Sequence, residues 1–443
     1  MSWPETTTRD AAGRLIIGGC ALEDLAVEFG TPLYVFDEAT IRHRSQVLRQ
    51  VFADVYPNSR VVYAAKAYIA PMIGSILNEE GIGLDVASGG EIYAGLVSGI
   101  PASMMTFHGN NKSLQELREA LQAGIGLIAV DNEHEIGLLA TLASEGFTDI
   151  PVVLRVNPGV DPHTHEKMRT GALDSKFGFP IETGAAMAAV ELIAQVPAIT
   201  LLGYHAHVGS QIFDPNLVGE TVRELLDFGA QVRDRFGIAP RVIIPGGGFG
   251  VRDDASGADV SIRNWATVAA ESISASCARH GMDLPELVVE PGRAIVGPAG
   301  VSVYTIGARK EIPGVRTYVS VDGGMSDNIR PSLYGARYSA SLANRADDGP
   351  REMVTISGKY CESGDILIKD IDLPRLVAGD LLALPMAGAY CMSMASNYNL
   401  APRPAAVMVC DGEAVLFRRR ETYADMLAAE VLPADARLLH SSD

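Results

Sequence analysis

Two charged side chains directly follow apolar runs that are typical of buried strands. Lys66 ends the run Arg60–Ala65 (RVVYAA), and Glu290 follows the apolar start of VVEPGR (288–293), with Arg293 three residues further on. A lysine amine in such a place becomes a nucleophile toward carbonyl groups when desolvation lowers its pKa. Taken alone, each motif has a plainer interpretation. Lys66 could be a solvated strand-end lysine, and Glu290 could form a structural ion pair with Arg293.

A glycine-rich segment, Gly246–Gly250 (GGGFG), follows the apolar run Arg241–Ile244. Consecutive glycines allow backbone N–H groups to approach a phosphate closely, because no side chain stands in the way. An ordinary turn explains the segment equally well. It does not match the GxGxxG dinucleotide fingerprint, since no helix opens directly from it and no acidic residue follows in a βαβ unit.

Two histidine pairs and one cysteine are further candidates, for metal binding and for a reactive thiol. His205 and His207 share one face of a predicted strand, and His163 and His165 form a second pair with the same spacing. Such pairs can bind a metal, which keeps a metal-dependent hydrolase open as a competing class. The companion ligands are not evident among nine histidines, so we predict no metal. Cys361 lies in a polar, turn-rich segment, GKYCESGD (358–365), which suits a reactive thiol better than core packing.

These residues must be positioned by alternating strands and helices. Helical patterns at 113–124 and 218–236 lie among several short apolar runs, namely 60–65, 125–130, 151–156, 199–204 and 241–244. Continuous apolar strands alternating with helices indicate parallel strands covered on both faces. Over about 250 residues this favours a βα barrel, with an open doubly wound sheet as the competitor. Active sites of barrels form at the carboxyl ends of the strands.

After about residue 290 the pattern changes to strands separated by Gly, Pro and Asp turns. We therefore predict an α/β protein with two domains. Residues 36–290 form a (β/α)8 TIM-like barrel that binds a cofactor. Residues 291–443 form a mainly β domain, a sandwich or barrel, which segment 1–35 joins.

Composition excludes several classes of function. The chain has 443 residues and a formal charge of −18, from 36 Lys+Arg against 54 Asp+Glu. That balance argues against nucleic acid as a partner, since phosphate backbones are bound by clustered Lys and Arg. No run of 18 apolar residues and no secretory signal pattern is visible, so we expect a cytoplasmic protein that neither spans nor binds a membrane. Five scattered cysteines without a CxxC pair fit neither a disulfide framework nor a structural zinc site.

Six motifs occur in a characteristic order between about Thr31 and Leu427. They are YAAKA around Lys66, DVASGGE (85–91), HVGSQ (207–211), GGGFG (246–250), EPGR (290–293) and CESGD (361–365). Their order and spacing resemble the fold-type III pyridoxal-phosphate decarboxylases, and most closely the diaminopimelate decarboxylases. The resemblance implies pyridoxal 5'-phosphate as the cofactor.

The resemblance also assigns roles to individual residues. Lys66 matches the lysine that carries the cofactor, His207 the histidine that stacks on its pyridine ring, and Glu290 the acid paired with the pyridine nitrogen. A carboxylate there keeps the ring nitrogen protonated, so that the ring accepts the electron pair left by departing CO₂. The remaining cofactor-binding positions implied are Asp85, Ser210, Gly248, Pro291, Gly292, Arg293 and Tyr390.

Substrate and partner follow from the same resemblance. Cys361 matches a proton donor that the partner subunit of a homodimer supplies to a shared active site. Arg293, Arg330, Tyr334, Glu362 and Tyr390 match substrate-binding positions; Arg330 and Tyr334 hold a distal carboxylate with the help of Arg293, and Glu362 receives a distal ammonium. The implied reaction is decarboxylation of meso-2,6-diaminopimelate at its D-centre to L-lysine and CO₂, in lysine biosynthesis.

Two alternatives stay open. A decarboxylase of the same family could act on another amino acid, such as ornithine or arginine, or on a carrier-bound acyl group. A catalytically inactive cofactor-binding barrel is the non-enzyme alternative. The predicted β domain with Cys361 and Glu362 argues against it, because a pure binding module needs no proton donor.

Overall fold

A computed structural model of the chain describes residues 3–160, 175–252 and 259–431. The chain divides into two compact units. The barrel unit contains Met1–Glu5 and Glu38–Ala299, and the β-rich unit contains Thr6–Asp37 and Gly300–Asp443.

The β-rich unit begins with the first elements of the chain. They are strands β1 (Thr8–Arg9), β2 (Leu15–Ile17) and β3 (Cys20–Ala21), helix α1 (Leu22–Phe29) and strand β4 (Leu33–Asp37). β1, β2 and β3 form a small antiparallel sheet. All five residues of β4 are buried.

The barrel unit then alternates strands with helices. Its strands are β5 (Ser59–Ala64), β6 (Gly83–Val86), β7 (Met105–Phe107), β8 (Leu127–Val130), β9 (Ile150–Asn157), β10 (Phe179–Pro180), β11 (Ile199–His205), β12 (Val242–Ile244) and β13 (Glu286–Val289). Its helices are α2 (Glu38–Val55), α3 (Pro71–Glu79), α4 (Gly89–Val97), α5 (Leu114–Ala123), α6 (Glu133–Ser144), α7 (Ala185–Ala194), α8 (Asn216–Phe236), α9 (Ile262–His280) and α10 (Arg293–Val296).

Eight of these strands close into a parallel barrel. The hydrogen-bonded order is β9-β11-β12-β13-β5-β6-β7-β8, and β8 pairs with β9 to complete the ring. β10 adds two residues beside β9. Small and branched side chains fill the barrel interior, namely Val62, Leu127, Ala129, Val153, Val242, Ile244 and Val288. The closed ring confirms the predicted barrel and excludes the open sheet.

The rest of the β-rich unit follows. Its elements are β14 (Gly300–Ile312), β15 (Arg316–Val321), α11 (Arg330–Tyr334), β16 (Ser341–Leu342), β17 (Arg351–Ser357), β18 (Ile366–Pro374), β19 (Leu381–Leu384), β20 (Ala405–Cys410), β21 (Glu413–Arg418) and α12 (Tyr423–Met426). The main sheet has the order β18-β17-β15-β14-β4-β20-β21, with β19 pairing β14 and β16. This confirms the predicted mainly β architecture. Among the described residues, no helix combines the length and the apolar character needed to cross a membrane.

Candidate active site

Six strands of the barrel unit bring polar side chains to its carboxyl rim. Asp85 lies in β6, Arg155 in β9 and His205 at the end of β11. His108, Glu290 and Lys66 follow β7, β13 and β5, with Lys66 in a short 3₁₀ turn (Ala65–Ala67). Because all eight strands run parallel, their carboxyl ends meet at one rim, so residues distant in the chain come together there.

The Glu290 carboxylate is held between two imidazoles. Oε1 lies 3.0 Å from Nε2 of His108, and Oε2 lies 3.3 Å from Nε2 of His205. The two imidazole centroids are 4.6 Å apart. Asp85 approaches the same cluster, with Oδ1 3.7 Å from His108 Nε2. All four side chains are buried, so their charges act at low effective dielectric.

Burial and mutual contacts shift the ionisation of this cluster. Burial by itself would raise the pKa of Glu290, but His108 and His205 outweigh it and hold that pKa well below its usual range. Burial raises the pKa of Asp85, although His108 and Lys66 oppose the shift. Burial also lowers the pKa of His205 to about 3. The cluster therefore favours an ionised Glu290 beside a neutral His205.

Lys66 and His207 lie close to this cluster. The Lys66 side chain is exposed at the rim, and His207 is half-buried. Burial lowers the pKa of His207 well below its ordinary value, and the nearby Lys66 ammonium lowers it further. Since Lys66 also acts electrostatically on Asp85, the structure brings Lys66, Asp85, His207 and Glu290 into one region.

The glycine turn Gly246–Gly248 approaches other backbone segments too closely for side chains. A Cβ on the middle glycine would stand 1.9 Å from the carbonyl oxygen of Glu290, and one on Gly248 2.5 Å from that of Gly209. The first and third glycines have φ angles of 84° and 75°, in the region that L side chains rarely adopt. The turn therefore requires glycine, because it packs directly against neighbouring backbone.

Two further segments adjoin this turn. The Ile212 N–H donates to the Gly248 carbonyl at 2.8 Å, which fixes the loop that contains Ser210. The Ala64 N–H donates to the Pro291 carbonyl at 3.0 Å, and a Cβ on Gly292 would lie 3.1 Å from that of Ala64. Arg293 opens α10 at this place and is half-buried. The predicted phosphate positions of the barrel unit thus lie on adjoining segments.

Among the described residues, the group of possible metal ligands is His108, His205 and Glu290, not the predicted pair of His205 and His207. Ligand atoms of His108, His205 and Glu290 lie within 4.8 Å of one another, close enough to share an ion. Here the nitrogen–oxygen distances of 3.0 and 3.3 Å are direct contacts between charged or polar groups. The second pair, His163 and His165, lies outside the described residues.

Within the β-rich unit, Arg330 is buried at the start of α11. Its guanidinium donates to the hydroxyl of Tyr338 and lies 5.3 Å from the centre of that ring. The Tyr338 hydroxyl in turn is 3.5 Å from the sulfur of Cys391, the residue after Tyr390. Tyr334 ends the same helix and is half-buried. Tyr390 is half-buried and has a φ of 61°, a conformation uncommon for a non-glycine residue.

Cys361 and Glu362 lie on an exposed turn of the same unit. Asp365 fixes this turn, because its carboxylate accepts the backbone N–H groups of Tyr360 at 2.8 Å and Met325 at 2.7 Å. The Cys361 N–H donates to Asn399 at 3.2 Å. The Cys361 side chain is exposed, while Cys20, Cys277 and Cys391 are buried and Cys410 is half-buried.

Sequence reasoning missed two residues at the barrel rim. His108 follows a strand of only three residues, too short to show a pattern. Arg155 is buried within β9, and the pKa of its guanidinium is lowered by burial, with the neighbouring carboxylates Asp131 and Glu290 opposing that shift. A charged residue inside the apolar run PVVLRV was a usable signal, because buried charges are retained only with partners.

Comparison with known proteins identifies the family. Residues 38–297 match the pyridoxal binding domain of pyridoxal-dependent decarboxylases. The chain is 46% identical to the diaminopimelate decarboxylase of Bacillus subtilis over 96% of this chain and 97% of that protein. It is 43% identical to that of Halalkalibacterium halodurans, over 97% and 98%.

A solved structure agrees with these relatives. The diaminopimelate decarboxylase of M. jannaschii, in complex with L-lysine, superposes with a TM-score of 0.90 at 32% identity. The match covers 98% of this chain and 99% of that one. The resemblance inferred from the six motifs is thereby confirmed, and the chain belongs to the diaminopimelate decarboxylase family of pyridoxal-dependent decarboxylases.

Proposed function

We propose that this protein decarboxylates meso-2,6-diaminopimelate at its D-centre, with pyridoxal 5'-phosphate as cofactor, and releases L-lysine and CO₂. The observation that carries the proposal is the buried Glu290, kept ionised between His108 and His205 on the rim where Lys66 is exposed. An inert binding barrel has no need of a buried carboxylate held in its charged form. L-lysine in the M. jannaschii complex is the product that this reaction would form.

The residues present fit the cofactor. The glycine turn carries no side chains that would keep a phosphate group from its backbone N–H groups. That phosphate would be bound by Gly246–Gly248, Ser210, Gly292 and Arg293. When bound, the cofactor supplies an electron-withdrawing ring that accepts the electron pair left by CO₂.

Each rim residue then has a defined task. Lys66 would hold the cofactor through its side-chain amine. His207 would lie against the ring, and its lowered pKa keeps it uncharged there. Glu290 would keep a proton on the pyridine nitrogen, and Asp85 would be among the cofactor-binding residues. Pro291 and Tyr390 are assigned to cofactor binding by the family resemblance.

Arg330 favours a substrate with a second carboxylate. Its planar guanidinium is suited to a carboxylate, whereas a buried arginine opposite the terminal ammonium of ornithine is costly. Arg330 is 3% exposed, so it is largely withdrawn from water. Arg293, Tyr334 and Tyr390 assist it, and Glu362 receives the distal ammonium. This argument disfavours ornithine-type activity.

Cys361 supplies the proton that replaces CO₂ on the reacting carbon. Its thiol is exposed on a turn fixed by Asp365, which allows it to reach a second protomer. We propose a homodimer with shared active sites, in which Cys361 of one protomer serves the other. As a lysine-forming enzyme, it is expected in the cytoplasm.

Replacing Lys66 tests the cofactor assignment. Purified wild-type protein incubated with pyridoxal phosphate is expected to show the visible absorbance of lysine-bound cofactor. Lys66→Ala is expected to lose that band together with CO₂ release. Lys369→Ala, at an exposed position on β18, should keep both. If Lys66→Ala keeps the wild-type spectrum, Lys66 is not the residue that binds the cofactor.

A further inference from the structure

Two buried histidines of the barrel rim, His108 and His205, are assigned no contact with cofactor or substrate above. Each of them contacts a different oxygen of Glu290, His108 at 3.0 Å and His205 at 3.3 Å. We propose that His108 and His205 are positioning residues, which hold the Glu290 carboxylate ionised and oriented toward the pyridine nitrogen of the cofactor. This inference rests on the proposed function and deepens it.

Two contacts from different strands fix the orientation of Glu290. The terminal torsion of a glutamate is broad, so a lone carboxylate rotates easily. His108 follows β7, His205 ends β11 and Glu290 follows β13, so three separate strands determine the geometry. The side chains of the three residues are 8%, 2% and 5% exposed, which leaves little room for other rotamers.

The same contacts explain how a carboxylate stays charged in the interior. An isolated buried carboxylate takes up a proton instead of remaining ionised. Two groups, His108 and His205, contact Glu290 directly. Three further ionisable groups interact electrostatically with the same cluster, namely Asp85, Arg155 and His207. Of these, His108 contributes most to keeping Glu290 ionised, and His205 contributes through its hydrogen bond.

The protonation of His205 follows from its surroundings. Among the described residues, its Nδ1 has no hydrogen-bond partner, whereas Nε2 lies 3.3 Å from Glu290. A neutral imidazole carries one N–H, and placing it on Nε2 satisfies both His205 and the carboxylate. His205 thus donates to Glu290 without carrying a charge, consistent with its pKa of about 3.

This arrangement predicts which amide can replace each histidine. The side-chain nitrogen of glutamine lies near the position of histidine Nε2, whereas that of asparagine lies near Nδ1. Nε2 faces Glu290 in both contacts, as a hydrogen bond from His205 and as a close approach without one from His108. Glutamine should therefore keep a polar nitrogen near the carboxylate, and asparagine should not. The two amides differ little in polarity, so general damage to the fold does not predict this difference.

The test compares His205→Gln, His205→Asn and the same pair at His108, with His134→Asn as a control at an exposed position of α6. The proteins are loaded with pyridoxal phosphate, and three properties are measured. They are the pH dependence of the visible spectrum, the dissociation constant of the cofactor, and kcat and KM for meso-diaminopimelate.

We expect each Asn variant to lose at least tenfold in kcat with KM changed less than threefold, and to shift the spectral titration. Each Gln variant should stay within about threefold of wild type in kcat.

A Glu290→Gln background shows whether the histidines act through Glu290. There, His205→Asn should reduce kcat by less than a further twofold, because the Glu290 carboxylate that His205 positions is already absent.

Equal behaviour of the Asn and Gln variants, or the same tenfold loss in both backgrounds, would overturn the inference. If wild-type protein binds no cofactor and releases no CO₂, the proposed function fails. If wild type is active but the Asn variants match it in spectrum and kcat, only this inference fails.

Discussion

At the scale of residues, the lysine proposed to react is exposed, whereas the carboxylate proposed to assist it is buried. Lys66 is exposed and accessible, whereas Glu290 is 6% exposed and depends on partners for its charge. Arg330 in the β-rich unit is buried like Glu290, and its guanidinium donates to the hydroxyl of Tyr338. A buried guanidinium is suited to binding a carboxylate.

Arg330→Ala is therefore expected to weaken binding of meso-diaminopimelate by about 2–5 kcal/mol, because a buried charge pair with the distal carboxylate is lost. Steady-state kinetics on wild type and variant measure the change in kcat/KM. Arg337→Ala, an exposed arginine in the same segment, is the matched control and should change little. Unchanged kcat and KM in Arg330→Ala would mean that the substrate assignment is wrong.

Single residues were predictable where sequence context marks them. Lys66 and Glu290 stand out because a charge follows an apolar run. His108 does not, since β7 has only three residues, and its contact with Glu290 joins positions 182 apart in sequence. Such contacts depend on strand order around the barrel, which no local pattern specifies.

At the scale of elements, a buried ion pair fixes the start of α6 to the barrel rim. Lys112 Nζ donates to the carbonyls of Gly109 and Ala129, each at 2.7 Å, and to Glu135 at 3.0 Å. Glu135 also accepts the Asp131 N–H at 2.9 Å. Both charged side chains are 1% exposed, so neither can turn to water if its partner is removed.

Glu135→Gln is expected to lower the free energy of unfolding by about 3–5 kcal/mol, because it leaves the Lys112 ammonium buried without its counter-charge. Chemical denaturation followed by fluorescence measures the loss. The control is Glu145→Gln, which breaks the partly exposed pair with Arg118 and should cost only about 0–1 kcal/mol. Equal losses in the two variants would contradict this account of the pair.

Element bounds were predictable where capping residues mark them. The pattern at 113–124 predicts α5, and the structure places it at Leu114–Ala123 because Ser113 and Glu116 form a capping box and Gly124 ends the helix at a φ of 80°. β18 (Ile366–Pro374) was not predicted, since its charged residues at 369 and 370 are exposed and interrupt the apolar run.

At the scale of the whole molecule, long-range strand pairing completes both units. In the barrel unit, β13 pairs with β5 in the register Leu287↔Ser59, which joins the last strand of the barrel to the first. In the β-rich unit, β4 pairs with β14 and with β20. These pairings join segments more than 200 residues apart, which is why the sequence left barrel and open sheet as alternatives.

One buried carboxyl makes the stability of the β-rich unit depend on pH. Tyr34 of β4 and Tyr304 of β14 both donate to Asp327, and Gly324 N–H donates at 2.9 Å. Burial nevertheless raises the pKa of Asp327 to about 6. The folded unit therefore holds this proton over a range in which the unfolded chain has lost it, so stability falls as pH rises from about 4 to about 6.

Asp327→Asn is expected to remove this contribution. Relative to wild type, the variant should gain about 3 kcal/mol in free energy of unfolding between pH 4 and pH 7, from a pKa difference of about two units. Denaturant titrations at several pH values measure the difference, and Asp348→Asn, at an exposed position of the same unit, is the control. A difference between Asp327→Asn and wild type that stays constant with pH would contradict the raised pKa.

The most direct test of the proposed function is CO₂ release by the purified, pyridoxal-phosphate-loaded protein from meso-2,6-diaminopimelate, with ornithine, arginine and lysine assayed beside it. We predict CO₂ and L-lysine in equal amounts from diaminopimelate, and no release from the other three. Release from ornithine or arginine instead, or none from diaminopimelate by protein that carries its cofactor, would contradict it.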